Sequence, residues 1–129
     1  MGRLRNTTLE RIERFADRVL DVAETLQKQR RFGRVVDQIA GSGTSAGANL
    51  FEADQAMTTK DFAKSLGVVR KELNETKFWL RLIGRRAWIK KSRLDALLLE
   101  AEELLCIFNA MVVRTGRRLA AGNRTPATA

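Results

Sequence analysis

Residues 38–53 read QIAGSGTSAGANLFEA, from Gln38 to Ala53, and the fold turns on how this stretch is read. Nine small residues, Ala40 to Ala48, run without a break. The polar Asn49 and Glu52 follow, set around the apolar Leu50 and Phe51. Such a run can be a flexible loop, a phosphate cradle, or a helix that lets its neighbours come close. Val35, Ile39, Ser42, Ala46, Asn49 and Ala53 recur at alternating spacings of four and three, flanked by Val36, Gly43 and Leu50. That spacing keeps helical phase. Each glycine inside a helix costs about 1 kcal/mol against alanine, so close packing against neighbouring helices must offset Gly41, Gly43 and Gly47.

The cradle reading fails on context. Gly41-Ser42-Gly43-Thr44-Ser45-Ala46 matches the dinucleotide pattern G-x-G-x-x-G/A, but that pattern needs a strand before it and a βαβ unit around it. The residues before it fit a helix, and no period-two strand occurs anywhere in the chain. The Gly-Lys-Ser/Thr ending of a P-loop is missing as well.

Outward from this stretch the same pattern repeats. Before it, Ile12, Phe15, Val19, Val22 and Leu26 form one stripe within a helix from about Thr8 to Gln29. Residues 28–34, KQRRFGR, make a basic break with Gly33 as its expected stop. After it, Thr58 or Thr59 is the expected cap of a third helix, with Asp61 as the capping-box partner of Thr58. Phe62, Leu66, Val69, Leu73, Thr76, Leu80 and Ile83 continue its stripe to a stop at Gly84. The connector RRAWIKK, residues 85–91, leads to a fourth helix capped by Ser92. Its stripe is Leu94, Leu97, Ala101, Leu104, Phe108, Met111 and Thr115. The predicted fold is all-α: an antiparallel up-down-up-down four-helix bundle. Residues 1–118 form its single domain, and residues 119–129 are expected to be a disordered tail.

Composition limits the function. The chain has 129 residues and a net charge of +9, so a small basic domain must find either a polyanionic partner or a use for the charge as a solvated surface. It has no His, no Tyr and one Cys, so no nucleophile, base and orienting group can be assembled, and no metal site of the His/Cys type. No catalytic residue, cofactor, metal or small-molecule substrate is expected. Cys106, between Leu105 and Ile107, reads as inert core or interface. Asn49 and Glu52, three apart, read as a hydrogen-bonded polar pair at a helix–helix contact. No apolar run approaches the about 18 residues of a membrane span. The start, MGRLRNTT, lacks the apolar core of a signal peptide. Asn6 stands where a myristoylation signal wants Ser or Thr. The expected location is the cytoplasm.

The positive charge is uneven. Residues 1–56 carry nine Lys/Arg against eight Asp/Glu, whereas residues 57–118 carry fourteen against seven. The excess therefore belongs to the third and fourth helices. Lys77 and Arg81 on the third helix, then Arg85, Arg86, Lys90, Lys91 and Arg93 around Trp88, form the candidate nucleic-acid surface. In such a surface the charges hold phosphates and the ring stacks on a base. The bland alternative is a solvated helix end. The third helix also has a second apolar arc of Val68, Trp79 and Leu82, with Phe78 beside it. A second apolar face points to self-association, unless Trp79 folds over the bundle edge.

The run Ser45-Ala46-Gly47-Ala48-Asn49-Leu50-Phe51-Glu52-Ala53 resembles a signature of the four-helix-bundle proteins encoded in 23S rRNA intervening sequences. Lys60-Asp61-Phe62, Leu66 and Glu72-Leu73-x-Glu75-Thr76-x-x-Trp79-Leu80 resemble that family's third helix. Ser45, Gly47, Asn49 and Glu52 are its motif positions here, while Gly41 and Gly43 stand where bulkier or basic residues are usual. The Phe78-Trp79-Leu80-Arg81 run is more distantly similar to the accessory variability protein of diversity-generating retroelements. The resemblance implies a four-helix bundle assembled as a ring-shaped homopentamer. Its retroelement branch further implies a basic surface for nucleic acid and a reverse-transcriptase partner. The expectation is a non-enzymatic, oligomeric accessory protein that binds RNA or DNA. Its rival is a structural or protein-binding bundle whose charge serves solubility.

Overall fold

A computed structural model describes residues 2–123. Four helices follow one another: α1 (Asn6–Lys28), α2 (Gly33–Asp54), α3 (Thr59–Arg85) and α4 (Lys91–Asn123). The expected stripes are the buried ones. Ile12, Phe15, Val19 and Leu26 of α1, Phe62 to Ile83 of α3, and Leu94 to Phe108 of α4 meet in one core. Each fully buried Leu, Ile or Phe contributes about 1.5–3 kcal/mol. Successive helices pack together, and α1 closes on α4. Neighbours run in opposite directions: Ile12 and Val19 face Gly47 and Gly43, and Lys77 and Arg70 reach Glu102 and Asn109.

The small-residue run is helical along its whole length, which removes the loop reading. Its core face is turned slightly from the expected stripe, so that Gly43, Gly47 and Leu50 are buried and Asn49 sits at the edge. Gly43 is where the helices come closest. A Cβ there would stand 2.5 Å from Val19 Cγ1, so α1 fills the space a side chain would need. On the other flank, the Thr76 hydroxyl donates to Ser42 Oγ at 2.8 Å, a buried bond between α2 and α3. It joins the two helices at this level, while each hydroxyl also has a carbonyl of its own helix in reach, Ile39 for Ser42 at 3.3 Å and Glu72 for Thr76 at 2.8 Å.

The helix ends differ from expectation. Gly33 begins α2 and does not stop α1, and Gly84 lies inside the last turn of α3 against Leu94. The stops fall at Arg30 and Ala87, the two non-glycine residues with positive φ, 57° and 56°. Each closes a Schellman motif. Arg31 N–H donates to the Leu26 carbonyl and Arg30 N–H to that of Gln27; Trp88 N–H donates to Ile83 and Ala87 N–H to Gly84. Lys91, one residue ahead of the expected cap Ser92, begins α4. α4 runs on to Asn123, so the first five residues of the expected tail are helical. Its last six lie outside the described residues. Cys106 is exposed, which excludes the core reading, in line with Leu99 and Val113 seven residues to either side. Among the described residues no helix is long and apolar enough to cross a membrane.

Candidate nucleic-acid interface

The cations of α3 form a ridge. Lys77, Arg81 and Arg85 are spaced by four residues, so they rise about 6 Å apart along the axis and drift slowly around it. On one side lies a groove of about 470 Å³ between α3 and α4. Leu80, Gly84, Leu94 and Leu98 floor it, and Lys91 closes the ridge from the α4 side. On the other side is a hollow of about 330 Å³ where Phe78, Leu82 and Asn74 join the same three cations. Lys77 donates to Glu102 across the groove at 2.7 Å. Among the described residues, Arg81, Arg85 and Lys91 are in no ion pair.

The eight residues expected to form one surface separate into groups. Lys77, Arg81, Arg85 and Lys91 share the groove. Arg93 turns to the α1 side, beside Arg18, Asp21 and Thr25. Lys90 is exposed in the connector. Arg86 and Trp88 belong to the tip of the bundle. There Trp88 is half-buried and packs against the core, with the Arg31 guanidinium 5.0 Å and the Arg86 guanidinium 5.9 Å from its ring centroid. Gln29 Nε2 donates to the Trp88 carbonyl at 2.9 Å, tying the α1–α2 connector to the α3–α4 connector. The indole expected to meet a base is thus already covered by arginines.

The α1–α2 connector and the first turn of α2 add residues that the charge pattern alone did not assign to the surface: Arg30, Arg31 and Phe32 of the connector and Arg34 of the helix. In an up-down bundle the first and third connectors lie at the same end, so the basic break at 28–34 and the connector at 85–91 form one tip. The N-termini of α2 and α4 lie at this tip too, with no acidic residue in either first turn. Arg34, Lys91 and Arg93 therefore sit at the positive ends of helix dipoles, where a cation is disfavoured by about 0.3–1 kcal/mol and an anion is welcome.

Residues 6–110 match the model of the 23S rRNA-intervening sequence proteins. The chain belongs to the 23S rRNA-intervening sequence protein family. It is also similar to the crystal structure, at 1.70 Å resolution, of a protein of unknown function from the S23 ribosomal protein family of Bacteroides thetaiotaomicron. The two share 31% identity over 81% of this chain and 97% of that one, with a TM-score of 0.77. No curated protein matches the chain.

Part of the family likeness forms a narrow arc on each of α2 and α3 outside the core. On α2, Ser45, Asn49 and Glu52 fall within an arc of about 60°. On α3, Glu72, Glu75 and Trp79 do the same. Asn49 does not pair with Glu52 or reach another helix. Its Nδ2 turns back to the Ser45 carbonyl at 2.8 Å, and Glu52 is exposed. Gly47 is buried, but a Cβ there would have room, 4.0 Å from Ile12. Trp79 donates to Glu75 Oε2 at 3.2 Å, and Phe78 meets its ring edge-on at 4.9 Å. Burial pushes the Glu72 carboxyl above the ordinary carboxylate range, and the neighbouring Glu75 charge pushes it further. Of the expected interface residues, Val68, Trp79 and Leu82 are half-buried and Phe78 is exposed.

Proposed function

We propose that the protein is a non-enzymatic accessory protein that binds nucleic acid through the basic face of α3 and α4. One observation carries this reading: Arg81, Arg85 and Lys91 crowd a groove with an apolar floor, and among the described residues none of the three is in an ion pair, while Glu102, which also lines the groove, is engaged by Lys77. Cations held together without partners repel one another, and a strand of phosphates relieves that repulsion. The test is fluorescence anisotropy with labelled single-stranded RNA, duplex DNA and an RNA hairpin at two salt concentrations. Arg81→Ala with Arg85→Ala is expected to weaken binding to every sequence and flatten the salt dependence. Absence of binding by the wild type at low salt would leave the charge as a solubility device.

A second observation favours self-association. Phe78 is 56% exposed beside the half-buried Trp79, on a helix whose other face already fills the core. Assembly through this arc, as in the ring that the family resemblance implies, would repeat the basic face and let weak contacts act together. Phe78→Glu is expected to give smaller particles in light scattering with unchanged helicity. A wild type that is monomeric at tens of micromolar, roughly the range of weak association, would exclude this reading.

A further inference from the structure

We propose that the tip formed by the α1–α2 and α3–α4 connectors is a platform for an unpaired nucleic-acid strand, and that Phe32, not Trp88, is its stacking residue. The inference rests on the nucleic-acid reading above and names the strand class and the residue that selects it.

Trp88 is in place already, half-buried with guanidiniums of Arg31 and Arg86 against it. Phe32 is the opposite. It is 69% exposed, with its ring centroid 6.1 Å from that of Trp88 and the planes tilted by 46°. Its position sharpens the point. Phe32 is the N-cap residue of α2, and no side chain caps that helix. Ser, Thr, Asp or Asn would serve local stability there, because each accepts a bond from a free N–H of the first turn. Phenylalanine gives up the cap and holds a flat apolar ring in water.

The surroundings suit phosphate. Arg30, Arg34, Arg86 and Lys90 are exposed in or beside the two connectors that form the tip, and residues 28–36 and 85–94 contain no Asp or Glu. Among the described residues none of these cations is in an ion pair. The ring decides between strand classes. Cations alone bind any polyanion, duplex included. A protruding aromatic ring adds affinity only where a base offers its face, and in a duplex those faces are stacked on each other.

The test uses Phe32→Ser, which removes the ring and installs a preferred cap, so the thermal midpoint is expected to hold or rise. Phe32→Tyr keeps a ring. Anisotropy is read with a short labelled polyuridine strand and with a blunt duplex. Phe32→Ser is expected to weaken strand binding about 5-fold or more, from the ~1–3 kcal/mol of one stacked base at about 1.4 kcal/mol per tenfold. Phe32→Tyr should restore strand binding, and the duplex should be unaffected by either change. Equal losses on strand and duplex, or no loss on either, would overturn the platform while leaving the basic groove standing. Displacement of the strand by polyglutamate with equal ease from wild type and Phe32→Ser would also overturn it, in favour of a general anion site. A wild type that binds neither nucleic acid would remove the underlying reading itself.

Discussion

The two ends of the bundle are closed in different ways. At the α2–α3 end the chain is held by specific side-chain bonds, although α1 starts there without a side-chain cap at Arg5 or an acidic residue in its first turn. Thr58 Oγ1 caps α3 by accepting from Asp61 N–H at 3.0 Å. The buried Asp54 accepts from Leu4 N–H at 2.7 Å and from Gln55 Nε2 at 2.9 Å. Arg3 Nε donates to the Ala56 carbonyl at 2.7 Å, with its guanidinium 5.4 Å from the Phe62 ring centroid. The first residues thus strap the end shut. At the connector tip, rules are bent one after another. Arg30 and Ala87 hold left-handed backbones, Phe32 occupies a cap position, and the first turns of α2 and α4 lack acidic residues. Each choice costs about 1 kcal/mol or so. The left-handed turns are confined to the connector tip, whereas helix starts without side-chain caps occur at both ends.

Five substitutions would break or sharpen this contrast. Asp54→Ala is expected to have the largest effect, because it removes a buried carboxylate that accepts two bonds. A loss of about 2–3 kcal/mol in denaturant melts is expected, with early proteolysis near residue 4. A loss under about 0.5 kcal/mol would mean that the strap does not hold the end. Gly43→Ala comes next, at about 1–3 kcal/mol of overpacking against Val19. Gly47→Ala is its control and should gain up to about 1 kcal/mol, since a methyl has room there. If both glycines respond alike, close approach is not what selects Gly43.

Ala87→Gly should then stabilise by about 0.5–1 kcal/mol, because glycine removes the steric penalty of the left-handed residue that ends α3. A destabilised Ala87→Gly would show that the tip is not strained. The smallest effect belongs to Glu72→Gln. Because the folded state raises this carboxyl's pKa, its ionised form at neutral pH opposes folding. The variant should melt slightly higher than wild type at pH 7. That advantage should vanish as pH falls through the raised pKa and the wild-type carboxyl takes up its proton. An advantage independent of pH would mean that charge is not its source. Glu100 works in the other direction. The Arg11 hydrogen bond lowers its pKa, so its contribution is present at neutral pH and is lost in acid.

The helices were legible because burial follows period, and Ile12 to Leu26 or Phe62 to Ile83 have a single way of sharing one core. The glycine-rich run was legible for the same reason, since Ser42 and Ala46 stay in phase with Ile39 and Ala53. The ends were less so. Gly33 and Gly84 look like stops, but the chain turns at Arg30 and Ala87, where a Schellman pair of hydrogen bonds outweighs the steric penalty. Asn49 and Glu52 share a face by spacing, yet spacing does not say that Asn49 would prefer Ser45 in its own helix. Cys106 sits among apolar neighbours in sequence and on the outer side of α4 in space. The site was half visible. Lys77, Arg81 and Arg85 follow from helical spacing, but Arg31 and Phe32 become part of it only when the 28–34 and 85–91 connectors are placed at one end. The alternation of an up-down bundle already implied that placement.

The measurement that bears most directly on the account compares the two ends within one sample. Hydrogen–deuterium exchange of the full chain, with and without saturating single-stranded RNA at low salt, reads every amide at once. Added protection is expected over residues 28–36 and 77–94, with the strap at 2–5 and the turn at 54–62 unchanged. Protection centred on the strap end, or none anywhere with the RNA demonstrably bound, would contradict it.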